Sequence, residues 1–164
     1  EGWLHTGDQA RIDASNHVYI TGRLKDILVL SNGEKIPPAD MEMAIALDPM
    51  IEQVMVVGEG RPYLTALLVL DEEHWAGLAQ EQGVDPRDPQ SLGDAGVLAA
   101  VGRRVKAALK DFPGYAKVRQ LHLSLEPWSI EDELITPTLK VKRAKVLARY
   151  ADAVEAMYLG GPAS

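Results

Sequence analysis

Two near-continuous apolar runs constrain the fold of this chain more than any other feature of its sequence. The runs are Val54–Val57 and Leu64–Leu70, and neither alternates with polar residues as a strand with one wet face does. Strands of this composition are covered on both faces. The short segment between them, Gly58–Pro62, favours antiparallel neighbours. We therefore predict a small sheet with other elements packed on each of its faces.

The remaining periodicities supply a third core strand and several helices. Leu121, Leu123 and Leu125 alternate with polar residues, which indicates a strand. Helical spacing or helix-boundary signals place helices near residues 38–48, 72–82, 94–110 and from Arg143 onward. The segment between the third strand and the last helix contains Pro127 and Pro137, so we expect it to be irregular. Mixed helices and strands of this number predict a small α+β domain with a three-stranded core sheet.

Two hairpins precede these elements. Residues 26–30 and 34–36 flank Ser31-Asn32-Gly33, and an Asn-Gly pair between apolar runs is a strong hairpin signal because both residues tolerate positive φ. We expect an outlying β-ribbon there. Residues 10–13 and 17–20 form a weaker hairpin pattern, which we assign to a short β segment outside the α+β domain.

Composition excludes several classes of function. The formal net charge of −7 argues against general nucleic-acid binding, which depends on Lys and Arg meeting phosphates. No stretch of about 18 apolar residues is present, so we predict no transmembrane segment, and peripheral contact with a membrane stays open. The absence of Cys fits a cytoplasmic protein and removes thiolate metal sites, and the scattered histidines lack metal-ligand spacing, so we predict no metal site in this part of the chain. The first residues resemble no signal peptide and include no Met, so we expect a piece of a longer chain.

Three short motifs contain the candidate ligand-binding and catalytic side chains. Gly2–Asp8 places a carboxylate on a Thr-Gly turn, where it can accept hydrogen bonds from ribose hydroxyls. Gly22–Asp26 lies where the β segment meets the α+β domain. Leu134–Arg143 ends in cations, and a Lys there can meet a phosphate or a reacting carboxylate. The basic stretch 140–149 is therefore either a phosphate site or a solvated helix face.

In this order the motifs resemble the C-terminal third of the adenylate-forming superfamily, which includes acyl-CoA synthetases, firefly-type luciferases and peptide-synthetase adenylation domains. Gly-Trp-Leu-His-Thr-Gly-Asp is followed about fifteen residues later by Gly-Arg-Leu-Lys-Asp. The amino-acid sequences of residues 30–38 and 136–143 are most similar to those of the long-chain fatty acid branch. The resemblance covers essentially the whole chain. It implies that residues 1–25 end the N-terminal adenylation domain and include the hinge, and that residues 26–164 form the mobile C-terminal domain.

The resemblance also implies roles for individual residues. Asp8 and Arg23 match the pair that binds the ribose of ATP or AMP. Lys25 matches the hinge, although many relatives carry Asp there. Lys142 matches the catalytic lysine, chosen by its spacing of four from Thr138. Val141 stands where most of the superfamily has Gly before that lysine, so Lys140 stays an alternative. The ribbon residues that match the loop beside the CoA pantetheine are Ser31, Asn32, Gly33, Glu34 and Lys35.

The activity implied is that of an acid–thiol ligase with ATP, Mg²⁺ and CoA. A fatty acid and ATP give an acyl-adenylate and pyrophosphate, and CoA then displaces AMP. The ATP loop and acyl pocket are expected in the N-terminal adenylation domain, the partner of this one, so this piece alone is expected to be inactive. The alternatives are an aryl- or medium-chain acid ligase, an acyl-AMP ligase that serves a carrier protein, and a non-catalytic α+β binding module.

Overall fold

The computed structural model describes residues 8–23 and 27–160. A hairpin of β1 and β2 comes first, followed by a two-stranded ribbon of β3 and β4 and then by the sheet of β5, β6 and β7. The strands are β1 Asp8–Ile12, β2 Val18–Arg23, β3 Leu28–Val29, β4 Lys35–Ile36, β5 Ile51–Val57, β6 Leu64–Leu70 and β7 Val118–Ser124. The helices are α1 Pro38–Ile45, α2 Glu72–Gln82, a 3₁₀ helix Pro89–Gly93, α3 Ala95–Ala108, α4 Arg143–Arg149 and α5 Ala151–Leu159.

The predicted three-stranded core sheet is confirmed, with β6 in its centre. β5 pairs with β6 in the antiparallel sense, with Val54 opposite Leu68. β7 pairs with β6 in the parallel sense, with Leu68 opposite Leu123. The parallel pairing is possible because the long connection through α2 and α3 returns the chain to the same end of the sheet.

Side chains alternate between two apolar layers, as the uninterrupted runs predict. On one face the sheet packs under α1, α2 and α3 through Val54, Val56, Leu64, Ala66, Leu68, Leu70 and Leu123. On the other face it packs against the segment 128–135, α4 and α5 through Met55, Val57, Leu67 and Val69. All seven residues of β6 are buried, because this strand has a neighbour on each side and a layer on each face. The α+β fold class is confirmed.

Aspartates set the beginnings of α2 and α3. Asp71 precedes α2 and accepts a hydrogen bond from the backbone N–H of His74 at 2.9 Å. Asp94 precedes α3 and accepts one from Gly96 at 2.8 Å. Each carboxylate satisfies a donor that the first helical turn leaves unpaired. Both helices start within one residue of the predicted positions.

The C-terminal region differs from the prediction in the division of its last helix. The single predicted helix from Arg143 is divided into α4 and α5 at Tyr150, whose φ and ψ are −103° and 21°. The Tyr150 hydroxyl accepts a hydrogen bond from the indole N–H of buried Trp128 at 3.3 Å, so the division positions that ring against the sheet. The segment expected to be irregular contains buried Leu134 and Ile135, and Ile135 forms an antiparallel bridge with Val141.

The ribbon turn is built differently from the one that Asn-Gly suggested. Only Gly33 has a positive φ, 86°, and Asn32 does not. The Gly33 N–H donates to the Leu30 carbonyl at 2.9 Å, and the Leu30 N–H donates to the Glu34 carbonyl at 2.9 Å. Asn32 stabilises the turn through its side-chain oxygen, which accepts from the Glu34 N–H at 3.0 Å. This is a three-residue loop closed by a left-handed glycine.

We expect Gly33→Ala to lower the free energy of unfolding by about 1–2 kcal/mol, because a Cβ disfavours the left-handed region. Gly77→Ala is the matched control. Gly77 lies inside α2, and a Cβ added there meets no atom within 4 Å. The control should stabilise the chain by about 0.5–1 kcal/mol. Chemical denaturation of both variants measures the difference, and equal stability of the two would contradict the assigned turn.

Candidate functional site

Residues 135–142 form a tight hairpin, which contains Lys140 and Lys142 and which we call the Lys142 hairpin. The Thr136 N–H donates to the Lys140 carbonyl at 2.8 Å, and the Lys140 N–H donates to the Thr136 hydroxyl at 3.1 Å. Leu139 at the tip has a positive φ of 60° and is 74% exposed. The segment between β7 and α4 is irregular, as expected from the sequence, and within it this hydrogen-bonded turn carries the cations.

The two lysines have different surroundings. Lys140 is exposed, whereas Lys142 is half-buried and immediately precedes α4. The Lys142 N–H donates to the Leu134 carbonyl at 2.8 Å, and its carbonyl accepts from the N–H groups of Lys145 and Val146 at 2.9 and 3.1 Å. The backbone of Lys142 is thus held on both sides, which fixes the point from which its side chain extends.

Glu133 provides the local negative charge. Its pKa lies below the ordinary value, first because Lys145 Nζ donates to Glu133 Oε2 at 3.2 Å, and further because of the positive charges of Lys145 and Lys142. The carboxylate is exposed, so water screens these interactions. Glu133 therefore offsets the positive charge of the neighbouring lysines only weakly.

Asp8 and Arg23 are brought together by the first hairpin. They are directly opposite in the register of β1 and β2, at the end of the pairing, although many residues separate them in sequence. The family resemblance names the same two residues as the ribose-binding pair. Lys25 lies outside the described residues, as does most of the motif that begins at Gly2.

The ribbon lies at one end of the core sheet. The Ser31 N–H donates to the Arg61 carbonyl at 2.9 Å and the Gly60 N–H to the Val29 carbonyl at 2.8 Å, both across the turn that joins β5 to β6. Ile36 in the ribbon is fully buried in the layer of α1, α2 and α3. The Lys142 hairpin is packed in the opposite layer through Ile135 and Val141. The two elements therefore belong to opposite faces of one sheet.

A basic groove was not identified from the sequence. It encloses about 490 Å³ between the end of α3 and the start of β7, and Leu109, Phe112 and Ala116 contribute apolar lining. Its exposed cations, which have no side-chain hydrogen bond or ion pair among the described residues, are Lys106, Lys110, Lys117 and Arg119. No acidic residue lines the groove. Its cations are divided among α3, the following loop and β7, so no single periodic pattern in the sequence contains them all.

The groove shares its face and its end of the sheet with the ribbon. Val105, Leu109 and Ala116 belong to the same apolar layer as Ile36. Val118, where β7 begins, is opposite Leu64, where β6 leaves the turn that contacts the ribbon. One face thus carries the ribbon and the groove, and the other carries the Lys142 hairpin.

Within residues 8–23 and 27–160, no set of three His, Asp or Glu side chains converges in a way that suits a metal ion. None of the helices in that part of the chain combines the length and the apolar character needed to cross a bilayer.

The fold is similar to solved adenylation domains. The A domain of a carboxylic acid reductase from Segniliparus rugosus, solved with AMP and a co-purified carboxylic acid, superposes with a TM-score of 0.78 and 28% identity. The match covers 94% of this chain and 23% of that one. An amide bond synthetase from Marinactinospora thermotolerans, with a TM-score of 0.54 and 22% identity, shares the fold.

Curated relatives point to the same family. The long-chain-fatty-acid–CoA ligase ACSBG1 of mouse is 32% identical over 177 aligned residues, covering 96% of this chain and 24% of the ligase. The long-chain-fatty-acid–CoA ligase FadD15 of Mycobacterium tuberculosis is 31% identical over 162, covering 96% and 27%. This chain therefore spans about a quarter of the length of these relatives. Residues 25–161 match the family described as the AMP-binding enzyme C-terminal domain, and the chain belongs to that family.

Proposed function

We propose that this chain is the C-terminal domain of an ATP-dependent acyl-CoA synthetase of the long-chain fatty acid type. The observation that carries the proposal is the placement of the ribbon and the Lys142 hairpin on opposite faces of one sheet. A single domain cannot turn both faces toward one pocket at the same time. Two successive reactions in that pocket therefore require the domain to rotate between them.

Lys142 serves the first reaction. A carboxylate oxygen of the fatty acid attacks the α-phosphorus of ATP, and the bond to pyrophosphate breaks to leave the acyl-adenylate. Negative charge grows on the phosphate oxygens as this happens, and a positioned ammonium group stabilises it. Mg²⁺, which ATP carries, supplies further positive charge to the same oxygens. The exposed Lys140, two residues earlier on the same hairpin, is the alternative donor.

The opposite face serves the second reaction, in which the CoA thiolate displaces AMP from the acyl carbon. The ribbon residues Ser31–Lys35 would lie beside the pantetheine arm. The basic groove on the same face suits the phosphates of the CoA nucleotide, because four cations and no acidic residue line it, and its apolar lining suits the adenine ring.

The remaining assignments concern the first segment of the chain and its partner. Asp8 and Arg23, opposite each other in the hairpin, would hold the two hydroxyls of the AMP ribose. Lys25 would be the hinge. The ATP loop and the acyl pocket would belong to an N-terminal adenylation domain, so this domain by itself would not turn over. We place the reaction in the cytoplasm.

We expect Lys142→Ala in the full-length enzyme to reduce adenylation about 10²-fold or more, which is the cost of losing one transition-state donor. Thioester formation from supplied acyl-adenylate should change little, because Lys142 then faces away from the pocket. Pyrophosphate release measures the first step and acyl-CoA formation the second. Lys140→Ala is the control on the same hairpin and should leave both steps near wild type. The reverse result would move the catalytic role to Lys140, and equal losses in both steps would contradict the rotation.

The groove yields a separate prediction. We expect the triple variant Lys110→Gln, Lys117→Gln and Arg119→Gln to raise the KM for CoA about tenfold, since exposed ion pairs contribute up to about 1 kcal/mol each. Adenylation should be unchanged. Pantetheine, which has the thiol arm without the nucleotide, should be used as well by the variant as by the wild type.

Arg87→Gln is the matched control, because Arg87 is an exposed cation in the loop after α2, outside the groove. Its KM for CoA should not change. An equal loss of activity with pantetheine and with CoA would show that the groove does not bind the nucleotide. An unchanged KM for CoA in the triple variant would show the same.

A further inference from the structure

Two charged side chains form hydrogen bonds with the edge strand β5 at Val56. β5 is an edge strand, so the N–H and C=O of Val56 that do not face β6 need other partners. Glu42 Oε1 accepts from the Val56 N–H at 2.8 Å. Arg143 donates from Nη2 to the Val56 carbonyl and from Nη1 to Glu42 Oε1, the latter at 2.6 Å. The three groups form a closed set, which we call the edge clamp.

The edge clamp joins the two layers of the domain. Glu42 belongs to α1, on the face of the ribbon, and Arg143 is the first residue of α4, on the opposite face. Their side chains are 20% and 28% exposed, so water screens the pair less than it screens the pairs at the surface. Charge-assisted hydrogen bonds with fixed fork geometry hold position more tightly than neutral ones.

Arg143 directly follows Lys142. The N–H of Lys142 is bound to the Leu134 carbonyl, which connects it to the hairpin, and the next residue is bound to the sheet edge. The Lys142 Cα therefore has a fixed place relative to the core sheet. A displacement of about 1 Å in a catalytic group can cost 10²-fold in rate.

We propose that Arg143, held by Glu42 and the Val56 carbonyl, is a positioning residue for Lys142. It sets the place of the Lys142 ammonium group in the adenylating orientation without touching the substrate. This inference rests on the proposed function of Lys142. It also predicts that the clamp has no part in thioester formation, in which the opposite face meets the pocket.

The test uses the full-length enzyme with Arg143→Met, which keeps the length of the side chain and removes its donors. We expect the kcat of adenylation to fall at least tenfold, with less than a twofold change in thioester formation from supplied acyl-adenylate. Glu42→Gln is the milder variant, because its amide oxygen still accepts from the Val56 N–H while the ion pair is lost. It should show the same selective loss, smaller in size. If Arg143→Met fails to fold, Glu42→Gln tests the positioning role in its place.

The matched control is Arg149→Met. Arg149 also belongs to α4 and pairs with exposed Glu126 at 3.4 Å, but among the described residues its side chain forms no hydrogen bond with β5. Adenylation by this variant should remain within twofold of wild type. A comparable loss in the control would assign the effect to the stability of α4 and overturn the inference.

A double-mutant cycle separates positioning from a general structural role. If Arg143 acts through Lys142, then adding Arg143→Met to Lys142→Ala should lower adenylation by less than a further twofold. A full additional tenfold loss in that background would overturn the inference. Equal losses in both half-reactions, or wild-type adenylation by Arg143→Met and Glu42→Gln, would also overturn it. If Lys142→Ala retains wild-type adenylation, the proposed role of Lys142 is wrong and the inference is wrong with it. If adenylation falls in Lys142→Ala but not in the variants of Arg143 and Glu42, the positioning role is refuted and the proposed function of Lys142 stands.

Discussion

The burial of both faces of a three-stranded sheet is the constraint on which the rest of this structure depends. β6 exposes none of its residues, because it has strands on both sides and an apolar layer on each face. Such a strand needs the helices of one layer and the α4–α5 segment of the other to be in place together. The domain is therefore rigid across its thickness, and elements on opposite faces keep a fixed relation to each other. That rigidity suits the rotation proposed above, which would exchange two sets of functional groups.

The outer edge of β5 is the weak point of such a sheet, and polar side chains close it. Gln53 exchanges hydrogen bonds with the backbone of Trp128, where its Nε2 donates to the carbonyl at 2.9 Å. Further along the strand, Glu42 and Arg143 satisfy Val56. At Val56 the outward backbone groups of β5 are therefore already paired and are not available to another strand. The Arg143 side chain also links the layer of α4 to Glu42 of the opposite layer, one residue after Lys142.

Charge is distributed unevenly over the two faces. The chain has a formal net charge of −7, yet the groove between α3 and β7 has four cations and no acid. The hairpin face has Lys140 and Lys142, with Glu133 as a partly screened neighbour. An acidic protein that concentrates positive charge in two places is suited to two anionic ligands that arrive at different times. ATP and CoA, the substrates of the proposed reactions, fit this description.

The sequence by itself determined the strands, the helix starts and the candidate cations. Continuous apolar runs fixed β5 and β6, and capping residues such as Asp71 and Asp94 fixed the helix starts, because these signals act between near neighbours in the chain. The family motifs named Lys142 and the ribbon. Only the tertiary structure decided which distant groups meet: the basic groove between α3 and β7, and the bond of Arg143 to β5. These contacts join segments far apart in sequence, so they depend on how the layers pack, which no local pattern encodes.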